Sequence, residues 1–191
     1  MPIKTSRLVL RPPQIGDENA LNEAILESYE VLNKSMLWAD HKPTAEESEM
    51  QARLAAANWI LKKNDEPYLP VFMFDKLTDQ FIGATGYHHY NWEVPCLEIG
   101  YWIRISCAGQ GFMTEAVNAL TQYAFKQLGV KRIAITCDVD NIPSKRIPEK
   151  LHYCLESIVK SNRLNSKGDI TDTLVYAKYD LLNLPNLDVN W

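Results

Sequence analysis

What most restricts the fold of this chain is a change in the period of its apolar residues. Between positions 69 and 103 they recur every two residues, in three β-rich runs at 69–74, 81–90 and 97–103. The runs are parted by Lys76-Leu77-Thr78-Asp79 and by Asn91-Trp92-Glu93-Val94-Pro95. Connections this short cannot carry a crossover, so the three strands must turn back on one another as an antiparallel meander. On both sides of the meander helical periodicity returns, so the sheet has to be covered by helices drawn from either end of the chain.

Before the meander, Arg7-Leu8-Val9-Leu10-Arg11 alternates and is stopped by Pro12-Pro13, which reads as a first strand. Asp17 is placed to cap a helix whose apolar face runs through Ala20, Leu21, Ala24, Ile25 and Ser28. Thr44-x-x-Glu47 after Pro43 is a capping box, and it opens a second helix with Met50, Leu54, Ala57 and Leu61 as the expected buried stripe. After the meander a glycine turn at 109–111 leads into a third helix, with Val117, Leu120, Ala124 and Leu128 on one face and Gly129 as its stop. Ile133, Ile135, Cys137 and Val139 alternate as a further strand; a short helix is expected at about 144–151, then strands near 153–160 and 173–182. The order is β-α-α-β-β-β-α-β-α-β-β, an α/β (α+β) arrangement within one domain over 1–182, with 183–191 as a tail.

Composition removes several classes of function. Acidic residues number 24 against 20 basic, and a net charge of -4 argues against binding that depends on neutralising nucleic-acid phosphates. The first residues lack an apolar stretch behind their charges, and no apolar run is long enough to span a bilayer, so a cytoplasmic location is expected. Cys96, Cys107, Cys137 and Cys154 are widely spaced and form no C-x-x-C pair, so they read as free thiols and no metal site is expected.

The segment that carries chemistry is Ala108-Gly109-Gln110-Gly111-Phe112-Met113-Thr114-Glu115-Ala116, glycines at a strand-to-helix turn. The first turn of a helix has unsatisfied N–H groups and the positive end of the helix dipole, which together suit a pyrophosphate. A plain tight turn would use the same two glycines. Neither a P-loop, which needs Gly-Lys-Ser/Thr, nor a dinucleotide motif, which needs an early βαβ unit, matches cleanly.

With this turn in view, the chain resembles the GNAT acetyltransferases, and within them the RimJ/RimL-like branch. Thr5-Ser6-Arg7-Leu8-Val9-Leu10-Arg11-Pro12 is similar to the opening strand of those proteins, and Phe81-Ile82-Gly83 with Gly86 to their third strand. Glu98-Ile99-Gly100-Tyr101-Trp102 is similar to the fourth, and Asn141-Ile142-Pro143-Ser144-x-Arg146 with Glu149-Lys150-Leu151 completes the set. The resemblance implies a GNAT fold, with a mixed, mostly antiparallel sheet of about seven strands and about four helices. It also implies an N-acetyltransferase that moves an acetyl group from acetyl-CoA directly to a primary amine, above all a protein N-terminal α-amine of the ribosomal-protein type. Alternatives are a small-molecule amine as acceptor, or an acyl-CoA-binding module without catalysis. Ala108 stands where the family carries Gln or Arg, Pro148 falls inside the short helix, and His152 replaces a helix-ending glycine.

The same resemblance assigns cofactor contacts to Trp102, Ile103, Gly109, Gln110, Gly111, Phe112, Met113, Thr114 and Asn141. Glu98 is the candidate base for the amine, although a salt-bridged strand carboxylate would also explain it. Ser144 is carried over as proton donor to the leaving thiolate, with helix capping as its other explanation. Trp38 and Trp92 are the candidates for lining the acceptor pocket. His88 and His89 read as ordinary strand residues, since neighbours on a strand face opposite ways, and Cys107 is not expected to carry the acetyl group. An exposed sheet edge or the tail ending in Trp191 is where a homodimer contact is expected.

Overall fold

The computed structural model describes residues 1–36, 38–61, 67–165 and 168–191. Its sheet runs in the order β1-β2-β3-β4-β5-β6-β8-β7, from β1 (Ile3–Lys4), β2 (Leu8–Arg11), β3 (Tyr68–Asp75), β4 (Phe81–Asn91), β5 (Cys96–Ile103), β6 (Arg132–Asp138), β7 (Cys154–Leu164) and β8 (Ile170–Lys178). That is eight strands rather than seven, because Ile3 and Lys4, ahead of the expected first strand, pair back onto it, Ile3 opposite Leu10. The meander β3-β4-β5 forms as its short connections require. Only β5 and β6 run parallel, and they are joined through α3.

Helices α1 (Glu18–Leu32) and α2 (Ala45–Leu61) cover one face, and α3 (Phe112–Tyr123) and α4 (Ile142–Lys150) the other. Each face has its own core. Leu21, Ile25, Phe72, Phe74 and Phe81 meet under α1 and α2, whereas Tyr87, Ile99, Val117, Leu120 and Ile135 meet under α3 and α4. Each fully buried apolar side chain of this size contributes about 1.5–3 kcal/mol.

The capping box forms as expected: Thr44 N–H donates to Glu47 at 2.8 Å, and Glu47 N–H to the Thr44 hydroxyl at 3.2 Å. The stripe expected behind it does not become buried. Met50, Leu54 and Leu61 are 58–60% exposed, and Ser48 and Ala52 face inward instead. Small residues let α2 approach α1 closely, which turns its larger side chains outward. Asp17 stands at the N-cap of α1 without a side-chain cap bond, because its carboxylate is engaged by Arg11 at 2.7 and 2.8 Å and by Gln14 N–H.

Residues 183–191, expected as an appendage, lie along the domain. Lys4 and Asn190 exchange backbone hydrogen bonds of 2.7 and 2.9 Å, and the Trp191 ring meets Tyr123 edge-on at 5.9 Å. Leu184, Leu187 and Val189 pack on the α3–α4 core.

Candidate active site

The parallel pairing of β5 with β6 ends at Glu98 opposite Ala134, although β5 runs on to Ile103 and β6 to Asp138. Beyond Glu98 the two strands part, and the wedge between them is the central feature of the site. Arg104 N–H donates to Ile82 carbonyl on β4 at 2.8 Å. Because hydrogen-bonding direction alternates along a strand, the N–H groups of Tyr101 and Ile103 point away from β4, toward the wedge. Trp102 N–H points back to β4, so of the two residues expected to offer backbone there, Ile103 is oriented for it and Trp102 is not.

A cavity of about 560 Å³ passes through this wedge. Tyr101, Cys137, Asn141 and Ser144 line it on the α3–α4 side; His88, Gly100, Trp102 and Thr136 do so toward α1 and α2. The bare backbone of Gly100 is needed here, since a Cβ would stand 2.7 Å from Nε2 of His88. Trp38 lies in the wall, its ring 5.9 Å from that of Trp102. Trp92 does not: it sits in the β4–β5 connection, packed on Tyr90 at 5.1 Å, away from the cavity.

The glycine turn lies at the start of α3. Gly109 and Gly111 have φ of 76° and 81°, a left-handed backbone that suits glycine. From Gln110 to Thr114 no backbone N–H has a partner among the described residues, and the first such bond is Glu115 N–H to Gly111 carbonyl at 3.0 Å. Although Ala108 brings no cation, one stands beside the turn. Arg7 reaches in from the lead to β2, donates to Gln110 carbonyl at 3.1 Å and lies over the Phe112 ring at 4.4 Å. Glu115 holds it there at 2.6 Å and also accepts from Thr5. Burial pushes the Glu115 carboxyl upward, but the hydrogen bonds from Thr5 and Arg7 and the Arg7 charge outweigh it and leave the acid below its usual range. Nothing in the local sequence joins Arg7 to a turn a hundred residues later.

Asn141, not Ser144, is the N-cap of α4; its side chain accepts from Ser144 N–H at 3.1 Å. The helix therefore begins at Ile142, earlier than its apolar pattern indicates, and the Ser144 hydroxyl is not occupied by capping. Pro148 explains what holds that serine. Lacking an N–H, it leaves the carbonyl of residue 144 without its helical partner, and the Tyr101 hydroxyl donates to that carbonyl at 3.0 Å. This sets the tyrosine oxygen 3.3 Å from the Ser144 hydroxyl, which donates to it. Burial pushes both the Tyr101 hydroxyl and the Cys137 thiol up, the thiol to about 11, so neither ionises near neutral pH.

Glu98 sits at the point where the strands part, with its side chain 23% exposed. It accepts from the Thr136 hydroxyl at 2.6 Å and meets His89 Nδ1 at 3.3 Å. His89 has φ of 48° in the bulge that interrupts the β4–β5 pairing between His88 and Asn91, which turns its ring to this acid. His88, read from the sequence as an ordinary strand residue, enters the cavity. Stacked on Tyr68 with ring centres 4.2 Å apart, it is held by burial at a pKa of about 4 and is neutral at pH 7. Cys107 is buried in the α3–α4 core and is not among the described cavity-lining residues. His152 takes up the left-handed conformation at φ of 55°.

A family model described as an acetyltransferase (GNAT) domain matches residues 7–153. The chain is 30% identical to the uncharacterised N-acetyltransferase YnaD of Bacillus subtilis over 160 residues, 84% of this chain and 86% of that protein. It is 27% identical to the ribosomal-protein-serine acetyltransferase of Escherichia coli over 154 residues, 78% of this chain and 84% of the relative. A match to the uncharacterised N-acetyltransferase p20 of Bacillus licheniformis, 30% identical over 102 residues, spans 53% of this chain and 57% of that protein. Among solved structures, RimL, a ribosomal L7/L12 α-N-protein acetyltransferase in complex with coenzyme A, superposes with a TM-score of 0.81 at 24% identity, covering 93% of this chain and 96% of that one. The microcin C7 self-immunity acetyltransferase MccE, in complex with acetyl-CoA and AMP, does so with a TM-score of 0.81 at 23% identity, covering 92% and 93%.

Proposed function

Because the chain belongs to the GNAT acetyltransferases, whose acyl donor is acetyl-CoA, we propose that it acetylates the α-amine at a protein N-terminus by direct transfer. The observation that carries this reading is the cavity through the β5–β6 wedge, which joins the α3–α4 side of the sheet to the acceptor side, with Glu98 where the strands part. Relatives that include a ribosomal-protein-serine acetyltransferase support an α-amine as acceptor.

The residues on the α3–α4 side fit the cofactor. Free N–H groups from Gln110 to Thr114 suit a pyrophosphate, and the edge N–H group of Ile103 and the amide of Asn141 suit a pantetheine arm. Bound there, acetyl-CoA supplies an acetyl group already activated as a thioester. The chain's own groups do the rest. An α-amine has a pKa of about 7.7–8.0 and must be neutral to attack. The Thr136 hydroxyl lines the cavity and already donates to Glu98. A proton accepted by Thr136 Oγ1 from the amine therefore moves its own proton to Glu98 Oε1, and Glu98 returns it to solvent. The N–H group of Tyr101 at the wedge stabilises negative charge on the carbonyl oxygen. The Ser144 hydroxyl turns from Tyr101 to hydrogen-bond the sulfur that leaves.

The test is acetylation of a peptide with a free N-terminus and an internal lysine, followed by mass spectrometry to place the acetyl group. Label on the α-amine is expected, with thiol released in equal amount. Label confined to lysine, or no label while acetyl-CoA binds, would overturn the reading.

A further inference from the structure

The half of the cavity under α1 and α2 is lined by Met36, Trp38, Leu54, Phe72 and Trp102, and two of these are far from buried: Trp38 is 43% and Leu54 58% exposed. Apolar surface held at the wall of a site favours a ligand that covers it with apolar groups of its own. A serine or alanine side chain covers little of it. Charge narrows the choice further. Among the described lining residues the one carboxylate is Asp138, which faces Arg163 at 3.7 Å, and the one imidazole, His88, is neutral at pH 7. A second ammonium on the acceptor would find no free counter-charge there, which disfavours polyamines and lysine- or arginine-initiated chains.

Arg163 adds a requirement of its own. Its Nε is buried without a hydrogen-bond partner among the described residues, since Asp138 lies beyond hydrogen-bond distance. A buried donor of this kind is destabilising until something accepts from it. The first carbonyl of a peptide, two bonds from the α-carbon's amine, is such an acceptor.

We infer that the acceptor is a peptide N-terminus whose first residue carries a bulky apolar or aromatic side chain, seated among Trp38, Leu54 and Phe72, with its carbonyl held by Arg163. This rests on the reading of the acceptor as a protein N-terminus. Amine, carbonyl and side chain then each meet a part of the wall suited to them: Thr136 with Glu98, Arg163, and the apolar half.

The experiment uses four peptides that differ only in the first residue, Phe, Leu, Ala or Ser, at saturating acetyl-CoA. The kcat/KM for Phe and Leu should exceed that for Ala and Ser by about 10- to 100-fold, mostly through KM. Trp38→Ala, a change on a half-exposed loop residue, should close that gap to within about threefold, and Arg163→Gln should raise KM for all four by about tenfold. Equal or better use of Ser and Ala, or a gap that survives in Trp38→Ala, overturns the inference while the N-terminal acceptor stands. Acetylation of phenethylamine with no peptide accepted overturns both.

Discussion

The two sides of the candidate site are made of different material. On the α3–α4 side the groups that matter are mostly backbone: the N–H groups from Gln110 to Thr114 and the edge of β5 at Tyr101 and Ile103. On the α1–α2 side they are side chains, from Met36 and Trp38 to Leu54, Phe72, His88 and Trp102. Backbone presented by a glycine turn and a strand edge keeps its geometry under most substitutions, so that side suits a ligand of constant structure. The side-chain half changes with almost any substitution and is free to suit a particular acceptor. Glu98 and Thr136 stand at the junction.

If this division holds, variants at the junction should slow chemistry while leaving the donor bound. Glu98→Gln should lower the rate by about 10²- to 10⁴-fold near neutral pH at unchanged acetyl-CoA affinity, and the deficit should narrow as pH rises and the amine becomes neutral. Stopped-flow rates from pH 6 to 9.5 beside a donor titration check both halves of that statement. A folded variant with the wild-type profile removes the base from Glu98.

On the backbone side, Gly111→Asp should weaken acetyl-CoA binding by about 100-fold or more, since a carboxylate is placed where the helix N-terminus attracts an anion. The added Cβ meets nothing closer than the Arg7 guanidinium at 3.6 Å, so charge and the φ of 81° decide the effect rather than a clash. Calorimetric titration with unchanged affinity would break the assignment of the turn.

On the side-chain half, His88 ties stability to pH. Its folded pKa of about 4 lies below the ordinary value of 6.5, so its contribution is complete above 6.5 and is lost as pH falls from there through 4, where the unfolded chain takes up a proton that the folded chain refuses. The loss amounts to about 3 kcal/mol at most. Urea midpoints for wild type and His88→Gln between pH 7 and 4 should diverge accordingly; parallel curves would mean the ring is not protected.

The smallest expected effect sharpens the comparison on the donor side. Tyr101→Phe should cost about 1–2 kcal/mol by leaving the Ser144 carbonyl without a donor, and part of this should return in Tyr101→Phe/Pro148→Ala, where a helical N–H can take its place. Additive losses in the double variant would show that proline and tyrosine are not coupled through that carbonyl.

Which of these groups could be read along the chain follows the same division. The glycine turn, the meander, the capping box and the alternation of β6 rest on neighbours in sequence, and local periodicity and turn chemistry reveal them. The burial of α2 was misread because its larger apolar residues fit a helical stripe, while close packing against α1 selects Ser48 and Ala52. Trp92 was a reasonable aromatic to assign to a pocket, but a residue in the β4–β5 connection packs on its own strand, at Tyr90. For His88 and His89 strand alternation predicts opposite faces, but the bulge and the left-handed backbone at His89 bring both rings to the side of Glu98, the cross-strand partner of His88.

By itself the sequence determined the kind of fold, the position of the glycine turn before α3 and the family to which both belong, because each is set by hydrogen bonding and side-chain spacing within a few residues. The tertiary structure alone decided where β5 and β6 part, that Arg7 reaches the turn, that Tyr101 replaces the N–H missing from Pro148, and which side chains wall the acceptor side. Those contacts join residues tens to a hundred positions apart. No local pattern encodes them, since they depend on how the helices on the two faces come to rest against one sheet.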